Sequence, residues 1–283
     1  MPNWEQETEK LAKFKQDEAS RPALNPAHEA KFFKTVNPDW QPGDGASNKE
    51  WQAHGKTGFG PYDAGRPAVD NYKLLVSAIV PRPIGFISTV SADGTNFNLA
   101  PYSFFQIVSS NPPTFCLSVS GNPEVNKKDT LANILQTKEA TLNVVSDWIV
   151  DAANYSSITS PPEVDEWVVT GLHRSESVKV AAPHVAESAF SIEVKLTGTH
   201  EIKSPITNTV SSVVLFLEAV YFHARNDIIN HEQNYLDIAK LRPIARLGGT
   251  QYGRINEVFE IPRFFYDEQL QTNERLQDLQ QKD

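Results

Sequence analysis

Apolar and polar residues alternate with a period of two over several short stretches of the chain, and this pattern predicts strands. Phe190–Glu201 shows it most clearly: Phe, Ile, Val and Leu interleave with Ser, Glu, Lys and Thr, as in a sheet with one wet face. Ile84–Val90 is a continuous apolar, β-branched run ending at Ser91-Ala-Asp-Gly-Thr95, whose Asp93-Gly94 pair predicts a hairpin turn. Asn98–Val108 then returns as a second strand, bent at Pro101. Thr114–Ser120, Ala140–Ser146 and the long Ser212–Ala224 supply further strands. Helical stretches are short, at Trp4–Lys15, Thr130–Lys138 and Asp147–Tyr155. Many short strands with no strand–helix–strand alternation predict a mainly β protein, an antiparallel barrel or sandwich.

Residues 1–70 lack this alternation and hold 7 of the 19 prolines and 6 of the 14 glycines. Loop is the reading for most of that stretch. Its aromatic residues between positions 32 and 62 (Phe32, Phe33, Trp40, Trp51, Phe59 and Tyr62) are too many for a free tail, so an arm packed on the barrel of residues 71–263 is expected. Residues 264–283 read as a polar tail. A hydrophobic share of 40% and a charged share of 22% over 283 residues are ordinary globular values. The net charge is −9 and the densest basic run is only Lys127-Lys128, which argues against a nucleic-acid partner. A single cysteine, Cys116, excludes an intrachain disulfide and any multi-cysteine zinc site, and suits a reducing, cytoplasmic compartment. Within its strand Cys116 reads as a core residue. No apolar run reaches the roughly 20 residues of a membrane span. The acidic N-terminus matches neither a signal nor a transit peptide.

Several chemistries fail on inspection. Gly55-Lys56-Thr57 ends like a phosphate-binding P-loop, but the glycine required at position 50 is Glu50. No glycine-rich dinucleotide fingerprint follows a strand. His231-Glu232 lacks a second histidine at position 235, which is Tyr235, so no zinc pair forms there and no metal is expected. No serine elbow offers a nucleophile, and no catalytic residue is assigned. The positive signal is an anion site. Lys128, Asp129 and Thr130 precede a helix, with Asp129 as its N-cap, so free backbone N–H groups, Lys128 and the Thr130 hydroxyl can meet a phosphate; the plainer alternative is a capped helix beside solvated lysines. Ser88, Thr89 and Ser91 end a strand and either bind a ligand phosphate or decorate an edge. Arg82, extended between two prolines, can pair with a phosphate or an acidic side chain. Tyr252, on a loop with Gly248, Gly249 and Gly253, either stacks on a planar ligand with its hydroxyl wet or packs on the barrel; in the second case His223 and the arm take the substrate-facing wall.

The order of segments narrows the choice. Val80-Pro-Arg-Pro-Ile-Gly-Phe-Ile-Ser-Thr-Val90, Asp93-Gly94, Asn98-Leu-Ala-Pro-Tyr-Ser-Phe-Phe105, Ser109-Ser-Asn-Pro-Pro113, Lys128-Asp-Thr-Leu-Ala-Asn-Ile134, Ala186-Glu-Ser188 and Leu241-Arg-Pro-Ile-Ala-Arg-Leu-Gly-Gly249 follow in series, then Tyr252. The series resembles the flavin reductase-like, FMN-binding split-barrel family, in its longer-chain branch, over residues 70–262. That resemblance implies a Greek-key split barrel, a homodimer, and FMN near the subunit boundary. Carried over by position, Ser88 and Thr89 meet the ribityl-phosphate, Lys128, Asp129 and Thr130 the phosphate, and Asn98, Ala100, Pro101, Tyr102 and Ser103 line the isoalloxazine. It also implies an oxidoreductase taking electrons from NADH or NADPH through FMN to free flavin, a partner monooxygenase or another acceptor. The alternative is a non-catalytic FMN carrier or electron-transfer protein. Short-chain reductases of the superfamily carry a Gly-Asp-His segment where this chain has Ser204–Thr209, and the resemblance implies a glycine before Glu218 where this chain has Leu217.

Overall fold

The computed structural model describes residues 4–25, 30–121, 128–158 and 164–280. Its main sheet has seven strands: β1 (Gly85–Val90), β2 (Phe97–Tyr102), β3 (Phe105–Ser110), β4 (Pro113–Ser120), β5 (Glu139–Val144), β6 (Phe190–Lys203) and β7 (Val210–Ala224). Their order is β2–β1–β5–β6–β7–β4–β3, and every pairing is antiparallel. The two edges, β2 and β3, are consecutive in the chain, and the Phe104 carbonyl between them accepts the Ser118 N–H at 2.8 Å. One bent segment therefore serves both edges and closes the sheet into a split barrel. The bend falls at Ser103–Phe104 and not at Pro101. Pro101 continues β2 opposite Phe86, because an edge strand has one side where a missing N–H breaks no ladder bond.

The helices are α1 (Trp4–Ala19), α2 (Ala68–Ala78), α3 (Asp129–Thr137), α4 (Val150–Tyr155) and α5 (Glu166–Thr170), with two more in the tail at Tyr266–Thr272 and Glu274–Gln280. Alternate strand residues fill the barrel: Phe115, Leu117 and Val119 from β4, Val213, Leu215 and Leu217 from β7, Ile192 and Val194 from β6, with Leu131 and Ile134 of α3 added. Cys116 takes the intervening position on β4 and is half-buried outside this core, because neighbouring strand residues point to opposite faces. A second core forms on the outer face, where Phe86 and Leu99 meet Ile149, Ala153 of α4 and Trp167 of α5. The polar face of β6 is wet only along its second half. Ser191 and Glu193 are buried, since the segment from Arg174 to Val185 folds over them.

Gly85 sits where the barrel closes. A Cβ there would lie 2.9 Å from Phe105 Cγ, and the Phe105 ring in turn stacks on Phe115 at 5.7 Å. Gly85→Ala is therefore expected to destabilise the fold by about 1–3 kcal/mol through overpacking. An unchanged urea midpoint would show that Phe105 moves aside freely.

The arm bonds to the last residues of the 71–263 unit, where the Arg254 guanidinium donates to the Asn25 carbonyl at 2.7 Å. No described residue before Val76 is buried, so its rings do not pack into the barrel. It is fixed instead at its two ends. Lys31–Phe32 pairs in parallel with Glu257–Val258 at the end of the 71–263 unit, and Asp44 meets Arg275 of the tail at 2.6 Å. At its root, Arg82 donates to the Val76 and Ile79 carbonyls at the end of α2. No helix among the described residues is long and apolar enough to cross a membrane.

Candidate functional site

Strand pairing puts Thr89 opposite Asn98, on the face that α3 covers. The Asn98 side-chain amide donates to Thr130 Oγ1 at 2.8 Å and to Thr89 Oγ1 at 3.3 Å, while Asn133 Nδ2 donates to Thr89 Oγ1 at 3.0 Å. Tyr102 adds its phenol, which burial pushes up to about 12 against the opposing effect of a hydrogen bond to Thr130, so it stays protonated. The two strands of one hairpin and a helix 32 residues beyond Asn98 thus join in one buried polar network. Sequence reasoning had no signal for Asn133 beyond its position one helical turn after Thr130.

The start of α3 differs in one detail from the expectation. Lys128 occupies the N-cap and Asp129 is the first helical residue, and the Lys128 side chain makes no capping hydrogen bond. The first helical hydrogen bond runs from the Ala132 N–H to the Lys128 carbonyl, so the N–H groups of Asp129, Thr130 and Leu131 have no partner within the helix. Such an end favours an anion, and the exposed Lys128 beside it adds a cation. Lys127 lies outside the described residues.

The other expected residues separate. Ser88 points to the outer face, opposite to Thr89, and its fully buried hydroxyl has no hydrogen-bond partner among the described residues. Ser91 is committed to the hairpin: its hydroxyl donates to Asp93 at 2.5 Å and accepts the Asn96 N–H at 2.9 Å. The Ser91 and Thr95 contacts hold the Asp93 carboxyl below its ordinary range. Ala100, Pro101 and Ser103 are half-buried along β2 and the bend after it. Arg82 meets no carboxylate among the described residues. Its guanidinium donates to the carbonyls of Val76 at 2.5 Å, Ile79 at 2.7 Å and Leu247 at 2.9 Å, and reaches Ser103 Oγ at 3.4 Å. It is a clamp on the C-terminus of α2.

Tyr252 lies on a short hairpin of β8 (Ile244–Arg246) and β9 (Tyr252–Arg254). Its hydroxyl, expected to stay wet, donates to Asn154 Oδ1 at 2.8 Å, and its ring sits under the Arg246 guanidinium at 4.4 Å and against the outer core. That geometry is the packing arrangement. Tyr252→Phe is expected to lower stability by about 1 kcal/mol, the net worth of one hydrogen bond. Its check is the melting temperature, read beside the flavin affinity, which should not move.

His223 lines a cleft of about 400 Å³ with His184, Tyr221, Phe222 and Arg225. Its Nε2 meets Glu193 at 2.6 Å, and its ring stacks on His184 at 4.0 Å. Glu193 is fully buried and accepts the N–H groups of Val178, Lys179 and Val180 as well. No group of three or more His, Cys, Asp or Glu side chains able to hold a metal ion occurs among the described residues.

Comparison with known proteins fits this geometry. The flavin reductase like domain matches residues 77–238. An uncharacterized protein of Aquifex aeolicus is 38% identical over 181 residues, covering 64% of this chain and 88% of that one. Nitrilotriacetate monooxygenase component B from Bacillus cereus superposes with a TM-score of 0.67 at 28% identity, covering 73% of this chain and 100% of that one. The 2-nitrobenzoate 2-nitroreductase NbaA of Pseudomonas fluorescens, at 23% identity, shares the fold with a TM-score of 0.65 over 74% of this chain and 98% of its own. With more than half of its length inside that domain, the chain belongs to the flavin reductase-like family, whose split barrel it has.

Proposed function

We propose that the chain binds FMN, with the phosphate at the N-terminus of α3 and the isoalloxazine along Asn98–Ser103. One observation carries this reading: Thr89, Asn98, Tyr102 and Thr130 converge beside a helix end that its N-cap residue, Lys128, leaves without a side-chain cap. The donor set suits the group, because a phosphate takes N–H donors and an ammonium, and Lys128 with the first turn of α3 offers both. When bound, FMN supplies the hydride and single-electron chemistry. The chain's own part is to hold and orient. Thr130 and Asn98 fix α3 against β1 and β2, the protonated Tyr102 can donate but not accept charge, and the small Ala100 leaves room for a flat ring.

NADH or NADPH is the donor in this proposal, and free flavin or a partner monooxygenase the acceptor. The Bacillus cereus neighbour, a component of a monooxygenase, supports the second acceptor. A site shared between two copies of the chain belongs to the same reading. The experiment is an anaerobic titration of the FMN-loaded chain with each nicotinamide. Loss of the flavin's visible absorbance within seconds supports the reductase. Loss with dithionite alone favours the second reading, a carrier or electron-transfer protein. Two features favour that one: Ser204–Thr209 forms a plain hairpin loop closed by the Ser204 N–H to Thr209 carbonyl bond, and Leu217 fills the barrel core.

A further inference from the structure

Strand β7 changes face along its length. Leu215 and Leu217 point into the barrel, and unbroken alternation would send Tyr221 and His223 after them. A register shift between Ala219 and Tyr221 intervenes: Ala219 pairs with Val194, Tyr221 with Glu193 and His223 with Ser191. The bulge turns Tyr221 and His223 to the outer face, where Glu193 is buried. Glu193 lies in one row with Thr141 and Ser88, so the cleft at His223 is on the other face of the sheet from Thr89.

Burial acts to raise the Glu193 carboxyl, but hydrogen bonds from Val178, His223 and Lys179 outweigh it, so the group is ionised and can only accept. His223 therefore carries a proton on Nε2, which meets Glu193 at 2.6 Å, and its Nδ1 is left for the cleft. His184 stacks on the same ring at 4.0 Å with the planes 18° apart. Its Nδ1 is buried without a partner among the described residues, so Nε2 is the nitrogen it can offer. Burial first and His223 second lower the His184 imidazole, so a proton entering the pair goes to His223. Nitrogens in two nearly parallel ring planes do not converge on one point, so the pair makes no chelate for a metal ion.

We propose that this cleft binds a small monocarboxylic acid with an apolar body, and that the anion enters together with a proton taken up by His223. Neutral His223 turns a bare lone pair toward the cleft, and the Glu193 charge behind it repels an anion. One proton on Nδ1 reverses both effects: the imidazolium compensates Glu193 and donates outward. His184 Nε2 supplies a second donor. Arg225 lines the cleft as well, with its charge shared with Asp227 at 2.6 Å. Tyr221 is the remaining titratable group against His223, 5.0 Å from ring to ring, and with Phe222 it forms the apolar part of the wall. A single new positive charge suits a carboxylate better than a phosphate, which carries nearly two negative charges at neutral pH. The volume of about 400 Å³ leaves room for the body of the acid.

The test uses the full chain with butyrate as the probe, beside butyramide, its uncharged isostere, and inorganic phosphate. Calorimetry in two buffers of different ionisation enthalpy is expected to show saturable butyrate binding with proton uptake. The affinity should fall as pH rises, by about tenfold per unit once His223 is neutral, the slope of one linked proton. His223→Gln keeps a donor for Glu193 but does not titrate, so at low pH it should weaken butyrate at least about tenfold and flatten the pH profile. His184→Phe keeps the stack and loses one donor, so it should weaken binding and retain the slope. Circular dichroism checks the fold of both variants. No saturable binding, a flat profile in the unaltered chain, or an affinity that His223→Gln leaves unchanged overturns the proposal. So does butyramide or phosphate binding as tightly as butyrate. FMN affinity should be the same in His223→Gln as in the unaltered chain, which keeps the flavin reading separate; a loss there would overturn the independence of the cleft.

Discussion

Replacing Lys128 and Thr130 together with alanine is expected to weaken FMN binding about 30- to 1000-fold, a loss of about 2–4 kcal/mol at roughly 1–2 kcal/mol per charge-assisted contact. Riboflavin, which has no phosphate, is expected to change little. The two substitutions act differently. Lys128 is exposed, so its removal takes away a cation and nothing structural. Thr130 is 1% exposed and accepts from Asn98, so its removal also loosens α3 against β2. Lys128→Ala alone should therefore cost FMN and spare riboflavin, and the double variant should add the Thr130 contact to the FMN loss together with a small loss common to both. Equal losses for the two ligands would mean that the phosphate lies elsewhere.

Glu193→Ala is expected to be the most destabilising single change, at about 3–5 kcal/mol. Three backbone N–H groups and His223 lose an acceptor whose side chain is fully buried, and the segment over β6 loses its fastening. Acid should reproduce part of the effect. Burial acts to raise the Glu193 carboxyl, but the Val178, His223 and Lys179 hydrogen bonds outweigh it and hold the group below its ordinary 4.5. Its contribution is thus complete above that value and lost as pH falls through the folded one. His184 is lowered below 6.5, by burial first and by the neighbouring His223 second. A histidine kept neutral in the folded state contributes fully above 6.5 and loses that contribution as pH falls below it. Both act in the same direction, so stability should decline in two stages on acidification. Chemical denaturation across this range, with His184→Phe removing the upper stage and Glu193→Gln the lower, is the check. A flat profile down to pH 5 would remove His184 from the account.

The strands were legible because packing inside the barrel writes a period of two into β4, β6 and β7, where Phe115, Leu117 and Val119 face inward and their neighbours do not. The site was legible in its segments. Thr89, Asn98 and Thr130 can be named from sequence, but only the closure of β2 onto β1 and α3 shows that they share one network. Ser88 could not be told from Thr89 without the pleat. Glu193 read as a solvated strand residue, since nothing near it in sequence tells of the segment that covers it. The break between β2 and β3 was misplaced because Pro101 is the residue that looks unable to stay in a strand, whereas an edge position lets it. Helix α2 escaped notice because only Val76 on it is buried, which leaves its apolar stripe too narrow to stand out after the proline-rich arm.

The central claim is that this chain holds a flavin by its phosphate. Titration of the unmodified full chain with FMN and, separately, with riboflavin, followed through flavin fluorescence, tests it most directly. One FMN per chain is predicted, with riboflavin weaker by about tenfold or more, the worth of one charge-assisted contact. Equal affinities for the two, or no change in fluorescence with either, would contradict it.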